Sequence, residues 1–132
     1  MLIVVAIILI IATIGIPSLL RSRQAANESA TVANLRNLNT AEVTYSSMSG
    51  AYGTIAQMVA VQLIDDRYVD PNLSGYTITV AMSPGNLGYT AYATGVSANS
   101  SRYDYYTTPD FVIRFSTAAS RAPSGRTGLP VQ

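Results

Sequence analysis

Hydrophobic and polar positions divide this chain into three regimes. From Met1 to Leu20 (MLIVVAIILIIATIGIPSLL) apolar residues fill nearly every position and no side chain is charged. A helix of that length spans roughly 30 Å, the thickness of a bilayer hydrocarbon core. Apolar on every face, it does not fit the amphipathic pattern of a helix in a soluble domain, and it demands lipid or an equally dry medium. A cleaved secretory signal would bring a basic start, a shorter apolar core and a small-residue cleavage site. The segment shows none of these and runs on into Arg21 and Arg23.

The second regime begins at Ala25. Up to Met48 there is neither Gly nor Pro, and Val32, Leu35, Leu38, Tyr45 and Met48 recur at helical spacing with Ala41 between them. Asn, Arg, Glu and Ser take the other faces. One helix is therefore expected from Met1 to about Ser47, apolar all round and then amphipathic, about 70 Å long at helical rise. Its second half has a globular head to lie against. Gly15 and Pro17 interrupt the first half, and because Pro removes a donor and crowds the preceding turn, a kink or unwound segment is expected there.

The third regime alternates. Thr54 and Gln57 have the spacing of a capping box, predicting a short helix from Thr54 to Ile64 with Ile55, Met58, Val59 and Leu63 on one face. Asp65 to Pro71 reads as a charged loop. Tyr76, Ile78, Val80 and Met82 alternate with Thr77 and Thr79, the mark of a half-buried strand. Ser83-Pro84-Gly85-Asn86 places Pro and Gly at the centre of a type II turn, and Leu87 to Val96 returns. A third strand is expected over Arg102–Thr107, and a fourth with Phe111, Ile113 and Phe115 on one face. The expectation is an α+β fold, a long N-terminal helix on a small four-stranded antiparallel sheet. It divides at residues 1–24 for the apolar helix, 25–117 for the amphipathic half-helix and head, and 118–132 for a tail that is loose or docked as an irregular strand.

Composition narrows the chemistry. Eight Arg, no Lys and seven acids leave a net charge of +1, with no basic stripe of the kind nucleic-acid binding uses. Without Cys or His there is no disulfide, thiol or imidazole chemistry, and without Lys the usual bases for a nucleophile are missing. A sheet this small offers little room for a cleft, so catalysis is not expected, and neither is a cofactor. Asp65, Asp66 and Asp70, with Asp104 and Asp110, raise the question of Ca²⁺, but their spacing matches no calcium loop. The nine tyrosines suit a half-exposed sheet with wet hydroxyls better than a conducting chain of rings. Arg114, Arg121 and Arg126 read as solubilising charge.

The residues also carry a resemblance. LIVVAIILIIATIGIPSLLRSRQAANESA closely resembles the N-terminal segment of type IV pilins and of the pseudopilins of type II secretion, with Pro17 on the family's helix-kinking proline. LRNLNTAEVTYSSMSGAYGTIAQ and, more loosely, TTPDFVIRFS resemble small cysteine-free bacterial pilins. The resemblance implies a subunit that sits in the bacterial inner membrane and is drawn by pilus assembly machinery into an extracellular helical homopolymer. The apolar helices then bundle in the core and the sheets lie outside. On that reading Leu2, Ile3, Val4, Val5, Ile7, Ile8, Leu9, Ile10, Ile11, Ile14, Ile16, Leu19 and Leu20 form the filament core or membrane helix, Gly15 and Pro17 its kink, and Val32, Leu35, Leu38, Tyr45 and Met48 the packing of helix on head.

Members of the family carry a basic leader and a glutamate near the mature start, both of which would precede Met1. The expectation is that the natural chain begins upstream. Charge agrees, because Arg21 and Arg23 as sole flanking charges would hold the head in the cytoplasm, and a basic leader would reverse that. Two alternatives share the N-terminal pattern. A pseudopilin would form a short periplasmic piston, and a bitopic membrane protein would carry a sensory or binding domain on a single span.

Overall fold

The computed structural model describes residues 1–116 and 128–131. Helix α1 runs from Leu2 to Ser49 without interruption, passing through Gly15 and Pro17. The expected unwound turn is therefore not present in the single subunit: Pro17 forfeits one backbone hydrogen bond, and the helical residues on either side keep the backbone helical across the gap. The helix ends at Gly50, whose left-handed φ of 78° lets its amide reach the Ser46 carbonyl at 2.8 Å.

Helix α2 spans Ile55–Ala60, shorter than its periodicity suggests. The Thr54–Gln57 capping box is fully formed at its start. Its end is a Schellman turn: Gln62 takes φ 59°, and the amides of Gln62 and Leu63 donate to the Val59 and Met58 carbonyls. Glycine, the usual marker of such a stop, is absent there, so the apolar spacing ran on past it. Asp66–Val69 forms one 3-10 turn in the charged loop, and Tyr68 within it is buried with its hydroxyl donating to the Asn34 carbonyl at 3.3 Å.

The sheet is an antiparallel meander of β1 (Tyr76–Met82), β2 (Tyr89–Gly95), β3 (Asp104–Thr107), β4 (Ile113–Ser116) and β5 (Leu129–Pro130), in that spatial order. Five strands replace the expected four because the chain end pairs Leu129 with Phe115 and Pro130 with Arg114. The rest of the tail, with Arg121 and Arg126, lies outside the described residues. Pro84-Gly85 forms the expected turn, with Gly85 at φ 72° and the Asn86 amide on the Ser83 carbonyl at 2.9 Å. Phe111 does not join β4. It sits in the preceding turn at φ 60°, 48% exposed, its amide on the Thr108 carbonyl.

One face of the sheet packs on α1. Tyr76 and Ile78 of β1, Tyr89, Ala91 and Ala93 of β2, Tyr105 of β3 and Ile113 of β4 meet Val32, Leu35, Leu38 and Ala41 of the helix. The alanines of β2 let the helix approach closely, and the tyrosines beside them fill the space it leaves. Tyrosine is thus core material here rather than wet surface: Tyr68, Tyr76, Tyr89, Tyr105 and Tyr106 are all buried. Burial pushes the Tyr105 phenol up to about 12 and those of Tyr76 and Tyr89 higher still.

Candidate functional site

The apolar half of α1 extends beyond the head with nothing covering it. Every large apolar side chain from Leu2 to Leu20 is exposed, and the first buried residue of the helix is Gln24. Among the described residues this is one helix long and apolar enough to cross a membrane. Leaving that surface in water would cost on the order of 25 cal/mol for each Å² exposed, so it must be covered.

What fixes the rod to the head is a single stripe of α1. Gln24, Glu28, Thr31, Leu35, Leu38 and Glu42 are buried and Tyr45 half-buried, at steps of three and four residues. Val32, Leu35 and Leu38 lie in the core cluster and Tyr45 packs against it. Met48 does not. It is 68% exposed.

The polar members of the stripe are invisible to apolar periodicity alone. Gln24 Nε2 donates to the Ala98 carbonyl at 2.8 Å and Asn27 Nδ2 to the Ser100 carbonyl at 2.9 Å. Glu28 accepts the Arg102 amide at 2.9 Å and its guanidinium at 2.8 Å. These bonds tie the start of the buried stripe of α1 to the β2–β3 loop. Farther up, the Tyr89 hydroxyl donates to Asn39 Oδ1 at 2.8 Å while Asn39 Nδ2 donates to Thr107 Oγ1 at 2.9 Å. The helical spacing that joins these residues to Leu35 and Leu38 was the available signal.

No protein-family model and no curated protein matches this chain. The geometry therefore carries the functional argument.

The other candidate residues resolve locally. Asp65 accepts the Arg67 amide at 3.1 Å and its guanidinium at 3.0 Å, and Asp70 accepts the Asn72 amide at 2.8 Å. Among the described residues no three acidic, His or Cys side chains gather as a metal site. Tyr92, Tyr106 and Arg114 lie in register across the outer face of the sheet. The two rings stack at 6.4 Å and the guanidinium lies 5.9 Å from the Tyr106 centroid, with Tyr106 itself fully buried.

Proposed function

We propose that this protein is the structural subunit of a type IV pilus-like filament. It waits in the bacterial inner membrane on Leu2–Leu20 and is then drawn by assembly machinery into an extracellular helical homopolymer. The observation that supports this most strongly is the continuity of α1: the helix bare on every face is the same helix whose next turns are locked into the head. A rod of this kind can be covered by lipid or by other rods. Lipid chains and Leu or Ile side chains are about equally apolar, so moving the helix from bilayer to bundle changes its hydrophobic energy little, and close packing decides the outcome. The motif resemblance in Leu2–Ala30 points the same way.

Electron microscopy of material sheared from producing cells, with mass spectrometry of the subunit's N-terminus, tests the proposal. Micrometre-long rods of this chain are the expected result. Recovery only in membrane fractions would overturn it in favour of a bitopic membrane protein, a reading that the bilayer-length span also supports. Rods confined to a short periplasmic stub would instead fit a pseudopilin.

A further inference from the structure

Where α1 leaves its apolar stretch, the helix and the underside of the head enclose a polar pocket of about 360 Å³. Leu20, 37% exposed, forms its rim, and Arg23 stands one turn farther along. The head supplies Asn72 and Ser74 from the loop before β1 and Ser97 and Asn99 from the loop after β2. No acidic residue lines it. Arg23 has no ion-pair partner among the described residues, where Arg67, Arg102 and Arg114 each have one. The lining is thus a guanidinium with amide and hydroxyl donors, chemistry that suits a phosphate ester and disfavours a cation.

The walls are braced independently of any ligand. Ser100 Oγ donates to the Gly75 carbonyl at 3.1 Å, the Val96 amide donates to the same carbonyl at 3.0 Å, and the Gly75 amide donates to Asn72 Oδ1 at 3.0 Å. Gly75 has φ 79°, and a Cβ there would lie 2.8 Å from Asn27 Nδ2 and 2.9 Å from Ser100 Cβ. Its neighbour Ser74 also takes the left-handed region, at φ 54°, a conformation that costs a non-glycine residue energy. The helix and the β2–β3 loop therefore leave no room for a side chain at position 75.

Depth selects the source of the phosphate. The headgroup layer is about 5–7 Å thick on each side of the hydrocarbon core, and one helical turn advances about 5.4 Å. With Leu20 at the hydrocarbon boundary, Arg23 falls in that layer. We propose that this pocket binds the phosphodiester of a phospholipid headgroup, with Arg23 on the phosphate, Asn72, Ser74, Ser97 and Asn99 around it, and Leu20 against the top of an acyl chain. The proposal rests on residence of Leu2–Leu20 in a bilayer and is independent of filament assembly. It gives the subunit a defined height and rotation in the membrane, which an apolar rod alone does not have.

The test is phosphatidylglycerol retained by the full chain in maltoside detergent at about 0.5 M NaCl, where screening over about 4 Å suppresses general surface attraction. Wild type and Arg21→Gln, a charge-matched control outside the pocket, are expected to hold lipid equally. Arg23→Gln is expected to lose it about tenfold, the scale of one charge-assisted contact, and Asn99→Ala about threefold, the scale of one neutral hydrogen bond. Inorganic phosphate at about 10 mM is expected to leave the lipid in place. Equal losses in Arg21→Gln and Arg23→Gln, or release by inorganic phosphate, would overturn the proposal. Liposome flotation separates the two readings: a chain that floats but retains no lipid removes the pocket alone, and one that does not float removes the membrane placement beneath both.

Discussion

Glu42 Oε2 accepts the Gly53 amide at 3.1 Å, while Oε1 of the same carboxyl group is enclosed with no hydrogen-bond partner among the described residues. The residue is completely buried on the helix face that meets the head. Burial lifts its pKa from 4.5 to about 7, and the Gly53 bond offsets only part of the rise. Below about pH 4.5 the folded and unfolded chains both carry the proton. Between 4.5 and 7 only the folded chain keeps it, so stability falls as pH rises through this window and is level above it. The loss is on the order of 3 kcal/mol. Glu42→Gln should flatten that slope and melt higher than wild type at pH 8, as thermal denaturation in detergent from pH 4 to 8 would read. An unchanged slope would show that Glu42 is ionised in the fold.

Asp110 acts in the opposite sense. Burial alone would raise its pKa, but the Arg114 guanidinium at 2.8 Å, the Thr108 hydroxyl at 2.7 Å and the Val112 amide at 3.1 Å prevail and hold it at about 2. Its contribution is present above the unfolded value of 3.8 and is lost as pH falls toward 2. With both partners less than a quarter exposed, that contribution is about 1–2 kcal/mol. Asp110→Asn should lower the melting temperature at pH 6 and converge on wild type near pH 2. Together with Glu42 this places greatest stability near pH 4–5, and a maximum at pH 8 would contradict the Glu42 assignment.

Leu35 and Leu38 are fully buried between α1 and the sheet. Truncating either to Ala should cost about 2–5 kcal/mol through lost burial and the cavity left behind. Met48→Ala, at an exposed helix position, should change stability by less than about 0.5 kcal/mol. Denaturant titration of the three variants distinguishes the packed stripe from its apparent continuation.

Gly53 faces the Tyr45 ring so closely that an added Cβ would sit 2.7 Å from two ring carbons. Its φ lies outside the left-handed region, so crowding is what forbids a side chain. Gly53→Ala should destabilise by about 1–3 kcal/mol. Adding Tyr45→Leu should recover part of that loss, giving a non-additive double-mutant cycle in chemical denaturation. Strict additivity would locate the strain elsewhere.

Much of this architecture could be read locally. The twenty-residue apolar run, the helical spacing through Leu35 and Leu38, the Thr54–Gln57 box, the Pro84-Gly85 turn and the alternation in β1 all depend on neighbours within a few residues. Each is a direct consequence of backbone sterics or side-chain period. The errors occurred where a local signal was silent or overruled. Gln62 closes α2 in a conformation usually reserved for Gly, and Phe111 continues a strand pattern but lies in a turn.

What the sequence determined by itself was the bare apolar rod, its fusion to an amphipathic half and the α+β character of the head, because periodicity and the cost of wetting apolar surface act without reference to the rest of the chain. Tertiary structure alone decided which polar residues are interior, that Met48 is not, that the chain end adds a fifth strand, and that Arg23 meets the loops of Asn72 and Asn99. Gln24 and Ala98, or Glu28 and Arg102, are 74 residues apart. A polar side chain becomes buried only when a distant segment supplies the partner that compensates its lost water, and no local pattern specifies that partner.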